Sequence, residues 1–153
     1  MLYRRYKPED FAALYAIEEA CFEPPVRFGR VYMRQLVASS RGATWIAEED
    51  GRTAGFAVVE WMRGAGAAAY IQTIEVVAEA RGCGVGGELL RRAEDSAGAA
   101  GAEAIWLHVD QENSAAIRLY ESRGYARQGR EEHYYARHRA ALVYVKPLAS
   151  SAA

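Results

Sequence analysis

The sequence predicts a mixed α/β (α+β) fold, in which helices flank a mostly antiparallel sheet that contains one parallel pair of strands. The Asp50-Gly51 dipeptide between two apolar runs is a strong signal for a tight β-hairpin. Further along, a β-branched run at residues 70–77, a helical segment and an apolar run at residues 105–109 form a strand–helix–strand unit, and the connecting helix makes those strands parallel. With 153 residues, of which 51% are hydrophobic, we expect a single domain at residues 1–148 and a disordered tail at 149–153.

The first part of the chain predicts one strand and two helices. A short strand is expected at residues 2–6, and Pro8 then stands where the first turn of a helix tolerates proline. Apolar side chains follow at the spacing of an amphipathic helix: Phe11, Leu14, Ile17 and Cys21. Pro24 and Pro25 end this helix, and a second helix is expected at residues 30–38.

The rest of the chain predicts strands that alternate with two more helices. In chain order we expect hairpin strands at 44–49 and 53–62, a loop at 64–69, the strand at 70–77, a helix at 86–99, the strand at 105–109, a helix at 113–122 and strands at 125–130 and 140–145. Gly124 follows the last helix as a candidate C-cap.

The charge balance and the apolar pattern argue against several classes of protein. The net charge is −1 at pH 7, so bulk electrostatics do not favour a nucleic-acid partner. No run approaches the ~20 apolar residues of a membrane span, and the charged N-terminus does not match a secretory signal. Cys21 and Cys83 are too few for a disulfide framework. We therefore expect a cytoplasmic protein with no direct nucleic-acid or membrane contact.

A glycine-rich turn is the first candidate binding site. Gly82, Gly84, Gly86 and Gly87 lie between the strand at 70–77 and the next helix. Glycines there let backbone N–H groups surround an anion at the positive end of the helix dipole. The turn therefore predicts a phosphate site.

Two interpretations of this turn compete. The glycines match the G-x-G-x-x-G pattern of nicotinamide enzymes, with Asp110 near the position of a ribose-binding acid. Against this, four residues separate the strand from the first glycine, whereas the glycines of a dinucleotide-binding turn follow their strand directly. The second interpretation rests on the order Arg81-x-x-Gly84-x-Gly86.

That order resembles motif A of the GNAT acetyltransferase superfamily, which holds the pyrophosphate of coenzyme A. The stretch from Asn113 to Tyr125 is similar to the N-x-x-[AS]-x-x-[FL]-Y-x-x-x-G-[FY] block of the same enzymes. The resemblance implies a GNAT fold with a splayed parallel strand pair and acetyl-CoA as cofactor. It also implies a backbone N–H near Val76 that polarises the acetyl carbonyl. The implied cofactor-binding residues are Ile74, Val76, Arg81, Gly82, Gly84, Val85, Gly86, Gly87, Asn113 and Tyr120.

Two of these residues also have purely structural explanations. Asn113 is a good N-cap, and Tyr120 could be a half-buried aromatic residue. They stand seven residues apart, which places both on one face of the same helix. The resemblance implies that Tyr120 is the general acid for the departing thiolate, and a phenol suits that task because it stays protonated at neutral pH.

Over about residues 1–147 the chain is similar to N-terminal amino-acid acetyltransferases, namely the bacterial RimI type and the catalytic subunit of eukaryotic NatE. The segment at 70–73 (YIQT) resembles Y-I-M-T of the NatE subunit, and the segment at 106–109 (WLHV) resembles its Y-L-H-V. The resemblance implies Tyr70 and His108 as a catalytic pair, where the RimI type has a glutamate in place of the histidine. The implied acceptor-binding residues are Phe22, Pro25, Val26, Phe28, Gln72, Tyr134 and Tyr135.

Elementary chemistry makes a histidine base reasonable. An α-amino group has a pKa near 8, so it needs only modest help to become nucleophilic, and an imidazole accepts protons at neutral pH. Alternation along the strand places Trp106 and His108 on the face opposite Ile105, Leu107 and Val109. A histidine that is merely hydrogen-bonded on its strand is the structural alternative.

Some residues depart from the family pattern. Glu75 replaces a small residue, and it could either face solvent or act as an alternative base. Cys83 raises the option of an acetyl-cysteine, but a side chain between cradle glycines points away from the acetyl group. His133 and His138 lack a clustered third ligand, so no metal is expected.

The sequence therefore predicts transfer of acetyl from acetyl-CoA to a primary amine in a direct ternary complex. The expected acceptor is the N-terminal α-amino group of a protein or peptide, and acetylation of a small-molecule amine is the alternative. A nicotinamide oxidoreductase and a non-catalytic acyl-CoA-binding module are further alternatives. We expect a monomer or weak dimer, and the resemblance leaves open whether the chain works alone or on the ribosome.

Overall fold

The computed structural model describes residues 1–62, 67–136 and 138–148. In these ranges, seven strands form one mixed sheet in the order β1-β2-β3-β4-β5-β7-β6. The strands are β1 (Leu2–Arg5), β2 (Gly42–Glu49), β3 (Arg52–Trp61), β4 (Ala68–Val76), β5 (Ala104–Asp110), β6 (Ala126–Ala136) and β7 (Arg139–Pro147). The helices are α1 (Phe11–Cys21), α2 (Arg30–Val37), α3 (Val85–Ala99) and α4 (Ser114–Ser122). The predicted fold class is confirmed.

The element boundaries differ from the sequence-based expectations mainly at the ends. A 3₁₀ turn at Pro8–Asp10 precedes α1, so the α-helix proper begins at Phe11. The last two strands are longer than expected: β6 continues to Ala136 toward the connecting turn, and β7 extends past both ends of the predicted residues 140–145. Residues 64–66 of the predicted loop at 64–69 and the predicted tail at 149–153 lie outside the described residues. Residues 68 and 69 belong to β4 and not to a loop, so that part of the prediction is wrong.

The hairpin between β2 and β3 has the backbone that its dipeptide demands. Asp50 and Gly51 have φ values of 51° and 76°, so both occupy the left-handed region. A two-residue turn with two positive φ angles matches the twist of the flanking strands. The hairpin prediction is confirmed, and it places β2 beside β3.

Helices cover both faces of the sheet. On one face, α1 and α2 pack on the centre of β2 and β3 through a buried cluster that includes Leu14, Met33 and Phe56. On the other face, α3 buries Leu89, Leu90 and Ala93 against the same strands. Burial of apolar side chains on both faces fixes which side of each central strand faces which helix.

The parallel pair is short, and the two strands then separate. Residues 68–71 of β4 pair with residues 104–107 of β5, while both strands continue without pairing to each other. A β-bulge accompanies the separation: Val58 opposes Thr73 but Val59 opposes Ile71, so Gln72 is an extra residue in β4. The result is a wedge-shaped gap between the carboxyl ends of β4 and β5.

None of the helices in the described ranges has the length and apolar character that a bilayer crossing requires.

Candidate active site

Two cavities lie at the gap between β4 and β5. The glycine-side cavity has a volume of about 760 Å³ and is lined by the turn at 81–87, by α4 and by the end of β4. The histidine-side cavity has a volume of about 470 Å³ and is lined by α1, by the loop at 22–28 and by β5 around His108. All ten residues predicted to bind the cofactor line the glycine-side cavity.

The two cavities share part of their lining, namely Cys21, Phe22, Ile74, Asn113, Ala116 and Tyr120. These residues come from the end of α1, from β4 beyond the bulge and from the first two turns of α4. A molecule in one cavity can therefore touch a molecule in the other across this junction, which lies beside the separated strands.

The glycine turn has the geometry of an anion cradle. Gly82 and Gly84 have φ values of 78° and 83°, which a residue with a side chain rarely adopts. Gly84 is the N-cap of α3, and it provides no side chain to bond the free N–H groups of the first helical turn. A Cβ at Gly87 would collide with the Arg123 guanidinium, so this side chain lies close against the backbone of the first turn of α3. The uncapped helix start, with its positive dipole end, fits a pyrophosphate.

Arg81 ties the cradle to the end of β4. Its Nε donates to the Val76 carbonyl oxygen at 3.0 Å, and one terminal nitrogen lies 3.7 Å from the Cys21 sulfur. Arg81 is exposed and lines the glycine-side cavity, so it adds a positive charge beside the helix N-terminus.

The backbone of β4 offers an N–H group to the gap. The Val77 N–H bonds the Ala54 carbonyl oxygen of β3 at 2.9 Å. Successive N–H groups of an extended strand point to opposite sides, so the Val76 N–H points away from β3. On that side β5 has already diverged. The predicted donor near Val76 therefore faces the gap.

Asn113 and Tyr120 combine a structural role with a place on the junction. The Asn113 side-chain oxygen accepts from the Ala116 N–H at 3.2 Å and caps α4, which leaves its NH₂ group for another partner. Tyr120 is only 7% exposed, and burial raises the pKa of its phenol above the usual value. The phenol therefore carries its proton at neutral pH.

His108 is held by three side chains. Its Nδ1 lies 2.5 Å from the Tyr70 hydroxyl, and its Nε2 lies 3.1 Å from a carboxylate oxygen of Glu131. The Tyr134 ring stacks on the imidazole with ring centroids 4.4 Å apart and planes 2° from parallel. Burial is the main cause that raises the pKa of Tyr70, and the nearby Tyr134 hydroxyl is the second. The Tyr70 hydroxyl therefore stays protonated. The predicted pair of Tyr70 and His108 is in contact.

The predicted acceptor residues fall into two groups. Five of them line the histidine-side cavity: Phe22, Val26, Phe28, Gln72 and Tyr135. Pro25 is exposed on the same loop and lies off both linings, and Tyr134 contributes by stacking on His108. The Gln72 amide donates to Glu60 at 2.8 Å, which fixes the bulged residue on the face that carries Tyr70.

Glu75 does not face solvent, so that option is wrong. It is 3% exposed and lies beside Glu18, which is fully buried. Thr73 donates to one Glu75 oxygen at 2.7 Å, and the Phe28 N–H donates to one Glu18 oxygen at 3.0 Å. Burial and the neighbouring Glu18 carboxyl raise the pKa of Glu75, so this carboxyl is protonated at neutral pH. A protonated carboxyl is a poor base.

Other cavity residues were not expected from the sequence. Glu18 and Cys21 lie on α1, where helical spacing alone indicates packing, and Arg118 lies on the exposed side of α4. Cys83 is exposed and lies off both linings, with its sulfur 3.7 Å from the Arg81 carbonyl oxygen. Asp110, the acid of the nicotinamide interpretation, lines the histidine-side cavity and bonds Arg139 at 2.6 Å, away from the glycine turn.

The sequence model described as the acetyltransferase (GNAT) family matches residues 11–125, which include the glycine turn and α4. The chain belongs to the GNAT acetyltransferase family. Membership of an acetyltransferase family argues against the nicotinamide oxidoreductase alternative.

One curated relative is named for a small-molecule substrate. The chain is 38% identical over 86 residues to the streptothricin acetyltransferase of Streptomyces lavendulae. The matched segment covers 56% of this chain and 45% of that protein, so it spans less than half the length of the relative.

Solved structures share the GNAT fold over nearly the whole chain. The ribosomal-protein-S18-alanine N-acetyltransferase of Escherichia coli has a TM-score of 0.85 at 24% identity, with 99% of this chain and 96% of that chain covered. Arabidopsis thaliana NAA60 in complex with a bisubstrate analogue has a TM-score of 0.86 at 22% identity, with 98% and 99% covered. A chain of the NatC complex bound to Gag peptide and CoA has a TM-score of 0.84 at 24% identity, with 97% and 98% covered.

Proposed function

We propose that this GNAT protein transfers the acetyl group of acetyl-CoA directly to the N-terminal α-amino group of a protein or peptide. The observation that carries the proposal is the junction, where the glycine-side and histidine-side cavities share six lining residues beside the splayed strands. Two substrates bound in adjoining cavities can react without a covalent enzyme intermediate.

The glycine-side cavity is the proposed acetyl-CoA site. The uncapped start of α3 and Arg81 would hold the pyrophosphate, and the free NH₂ group of Asn113 would hold the pantetheine arm. Bound there, the cofactor supplies an activated acetyl thioester. The Val76 N–H, which faces the gap, would donate to the acetyl oxygen and stabilise the charge that develops on it.

His108, assisted by Tyr70, is the proposed general base. His108 lines the histidine-side cavity, and the Tyr70 hydroxyl reaches its Nδ1 at 2.5 Å. Because an α-ammonium group has a pKa near 8, removal of one proton at neutral pH is enough to make it nucleophilic.

Tyr120 is the proposed acid. It lies on the junction, where a thiolate would leave, and burial raises the pKa of its phenol, so the phenol still holds its proton at neutral pH. A phenol that is buried and protonated can give its proton to sulfur without competition from solvent.

The walls of the histidine-side cavity support a peptide acceptor. Phe22, Val26 and Phe28 on one loop line this cavity together with Tyr135 of β6, and Tyr134 stacks on the His108 ring that also lines it. Apolar and aromatic walls with a few polar groups suit the first side chains of a peptide. The fold neighbours whose names include an S18 alanine or a Gag peptide agree with this proposal.

A small-molecule amine is the second candidate, because the curated relative at 38% identity is a streptothricin acetyltransferase. Aminoglycosides, polyamines and streptothricin would then be better acceptors than peptides.

The test compares peptides with small amines as acceptors. The purified chain is incubated with acetyl-CoA and a peptide library of varied N-termini, and in parallel with the small amines, and acetylated products are identified by mass spectrometry. Acetylated peptide N-termini support the proposal, and modification of the small amines alone overturns it. If the chain binds acetyl-CoA but releases no free coenzyme A thiol in the presence of any amine, it is a non-catalytic acyl-CoA-binding module instead. Addition of ribosomes to the peptide assay tests whether the ribosome contributes.

A further inference from the structure

The imidazole of His108 has no free nitrogen. Nδ1 is bonded to the Tyr70 hydroxyl and Nε2 to Glu131, at 2.5 and 3.1 Å. A neutral imidazole carries one N–H, and a carboxylate can only accept a hydrogen bond. The N–H must therefore stand on Nε2 and point at Glu131, so Nδ1 accepts from Tyr70.

The strand geometry shows why Glu131 can reach His108 at all. β7 lies between β5 and β6, and His108 opposes Val143 of β7. Beyond Glu131 the pairing of β6 with β7 becomes irregular, since five residue steps on β6 oppose two on β7. This bulge, where His133 has a φ of 55°, turns β6 so that Tyr134 stacks on the imidazole. Glu131 and Tyr134, both near the end of β6, thus hold the His108 imidazole.

We propose that Glu131 is a positioning residue that fixes His108 in its Nε2–H tautomer, so that Tyr70, His108 and Glu131 form a proton relay out of the histidine-side cavity. The relay rests on the proposed function and deepens it. The acceptor ammonium gives one proton to the Tyr70 oxygen while the Tyr70 hydroxyl proton moves to Nδ1. His108 then carries both ring protons, and its positive charge lies beside the Glu131 carboxylate.

The other charged groups near this ring do not replace Glu131. From β5 and β7, Asp110 and Arg139 line the same cavity but neutralise each other at 2.6 Å. From α1, Glu18 is bonded to the Phe28 N–H. The Glu131 side chain is 52% exposed, so a proton that reaches His108 can continue to bulk water there.

The experiment compares Glu131→Gln, Glu131→Asp and Glu132→Gln. Glu132 is a matched control, because it stands next to Glu131 on the same strand and pairs with Arg130 instead. The first readout is the ¹⁵N NMR spectrum of the imidazoles in protein without any substrate. The chain has three histidines, so single substitutions assign them. We expect a dominant Nε2–H tautomer of His108 in the wild type and in E132Q, and a mixture in E131Q.

The second readout is turnover of whichever amine the wild type acetylates fastest. We expect kcat of E131Q to fall about tenfold, which is less than the full rate factor that a general base contributes. KM should stay nearly unchanged, and E131D should recover part of the lost kcat. An unchanged tautomer and an unchanged kcat in E131Q would overturn the relay. Failure of the wild type to acetylate any peptide would overturn the peptide proposal alone, because the NMR readout needs no acceptor.

Discussion

At the scale of single residues, His108 decides the pH behaviour of the proposed reaction. We expect His108→Ala to lower kcat by about 10²- to 10⁴-fold at pH 6–7, as loss of a general base does. The loss should shrink toward pH 9, because an α-amino group with a pKa near 8 then deprotonates without help. Initial rates from pH 6 to pH 9 measure this.

The control for that variant is His138→Ala. His138 is exposed and lies off both cavity linings, and its backbone N–H, which alanine keeps, donates to His133 at 2.7 Å. It should keep wild-type rates at every pH. Near-normal turnover of H108A over the whole range would show that another group removes the proton.

Tyr120 allows a second test, in which a single hydroxyl is removed. We expect Tyr120→Phe to lower kcat by about 10²-fold or more, with KM for acetyl-CoA unchanged, because the ring remains but the acid is lost. Tyr125→Phe is the matched control, since that ring lies 5.7 Å from Tyr120 and its hydroxyl bonds Glu94 at 2.9 Å. Steady-state kinetics of both variants give the comparison, and equal rates for the two would refute the assignment of the acid.

The places of site residues could be predicted where a motif indicates the chemistry and the neighbouring sequence indicates the element, and their roles stay predictions. The cradle glycines, Asn113 and Tyr120 satisfied both conditions, and all of them line the expected cavity. Glu18 and Glu131 could not be found in this way. Glu18 has the spacing of an ordinary helix residue, and the contact of Glu131 with His108 depends on the order of β5, β7 and β6.

At the scale of elements, the start of α3 depends on backbone conformation. Gly84 has a φ of 83° and open space around its Cβ position, so an alanine there is strained without being crowded. We expect Gly84→Ala to lower the free energy of unfolding by about 1–2 kcal/mol and to weaken coenzyme A binding. Urea denaturation and calorimetric titration with coenzyme A measure the two effects.

The matched control is Gly98→Ala, on the same helix. Gly98 also has open space at its Cβ position but no positive φ, so alanine should stabilise α3 by about 0.5–1 kcal/mol. If both variants lose stability and affinity alike, the cradle does not require a left-handed residue at position 84.

Elements could be predicted well because their signals are local. The Asp50-Gly51 turn, the apolar spacing of α1 and the glycines before α3 each determine structure within a few residues. The bulge at Gln72 and the bulge in β6 were not predicted. Both arise from pairing with a neighbouring strand, and a single strand's sequence does not contain that register.

At the scale of the whole molecule, the buried Glu18–Glu75 pair links folding stability to pH. The pKa of Glu75 is raised above its ordinary value of 4.5 in the folded state, so the unfolded chain binds fewer protons above that pH. The free energy of unfolding should therefore fall as pH rises above about 4.5, by at most about 1.4 kcal/mol per pH unit from this group.

The variant that tests this link is Glu75→Gln, which keeps an acceptor for the Thr73 hydroxyl but cannot ionise. We expect its stability advantage over the wild type to be small at pH 5 and to grow toward pH 9. Glu79→Gln, at an exposed position just after β4, should follow the wild-type curve. Unfolding curves for E75Q and the wild type that stay parallel from pH 5 to pH 9 would contradict the prediction.

The fold class was accessible from the sequence because one strand–helix–strand unit and one hairpin together predict a mixed sheet with a parallel pair. The order of β5, β7 and β6 was not predicted. The acceptor was not accessible to the same degree. The cavity proposed for it combines residues of α1, the loop at 22–28, β5 and β7, and the relative positions of those segments follow only from tertiary packing.

The shared lining at the splayed strands has an evolutionary consequence. Most of each cavity wall belongs to that cavity alone, and only the junction serves both. Substitutions at Val26, Phe28 or Tyr135, which line the histidine-side cavity alone, would therefore change the proposed acceptor site and leave the proposed acetyl-CoA site intact. In the proposed reaction, such independence would let the acceptor change while the binding of the thioester stays the same.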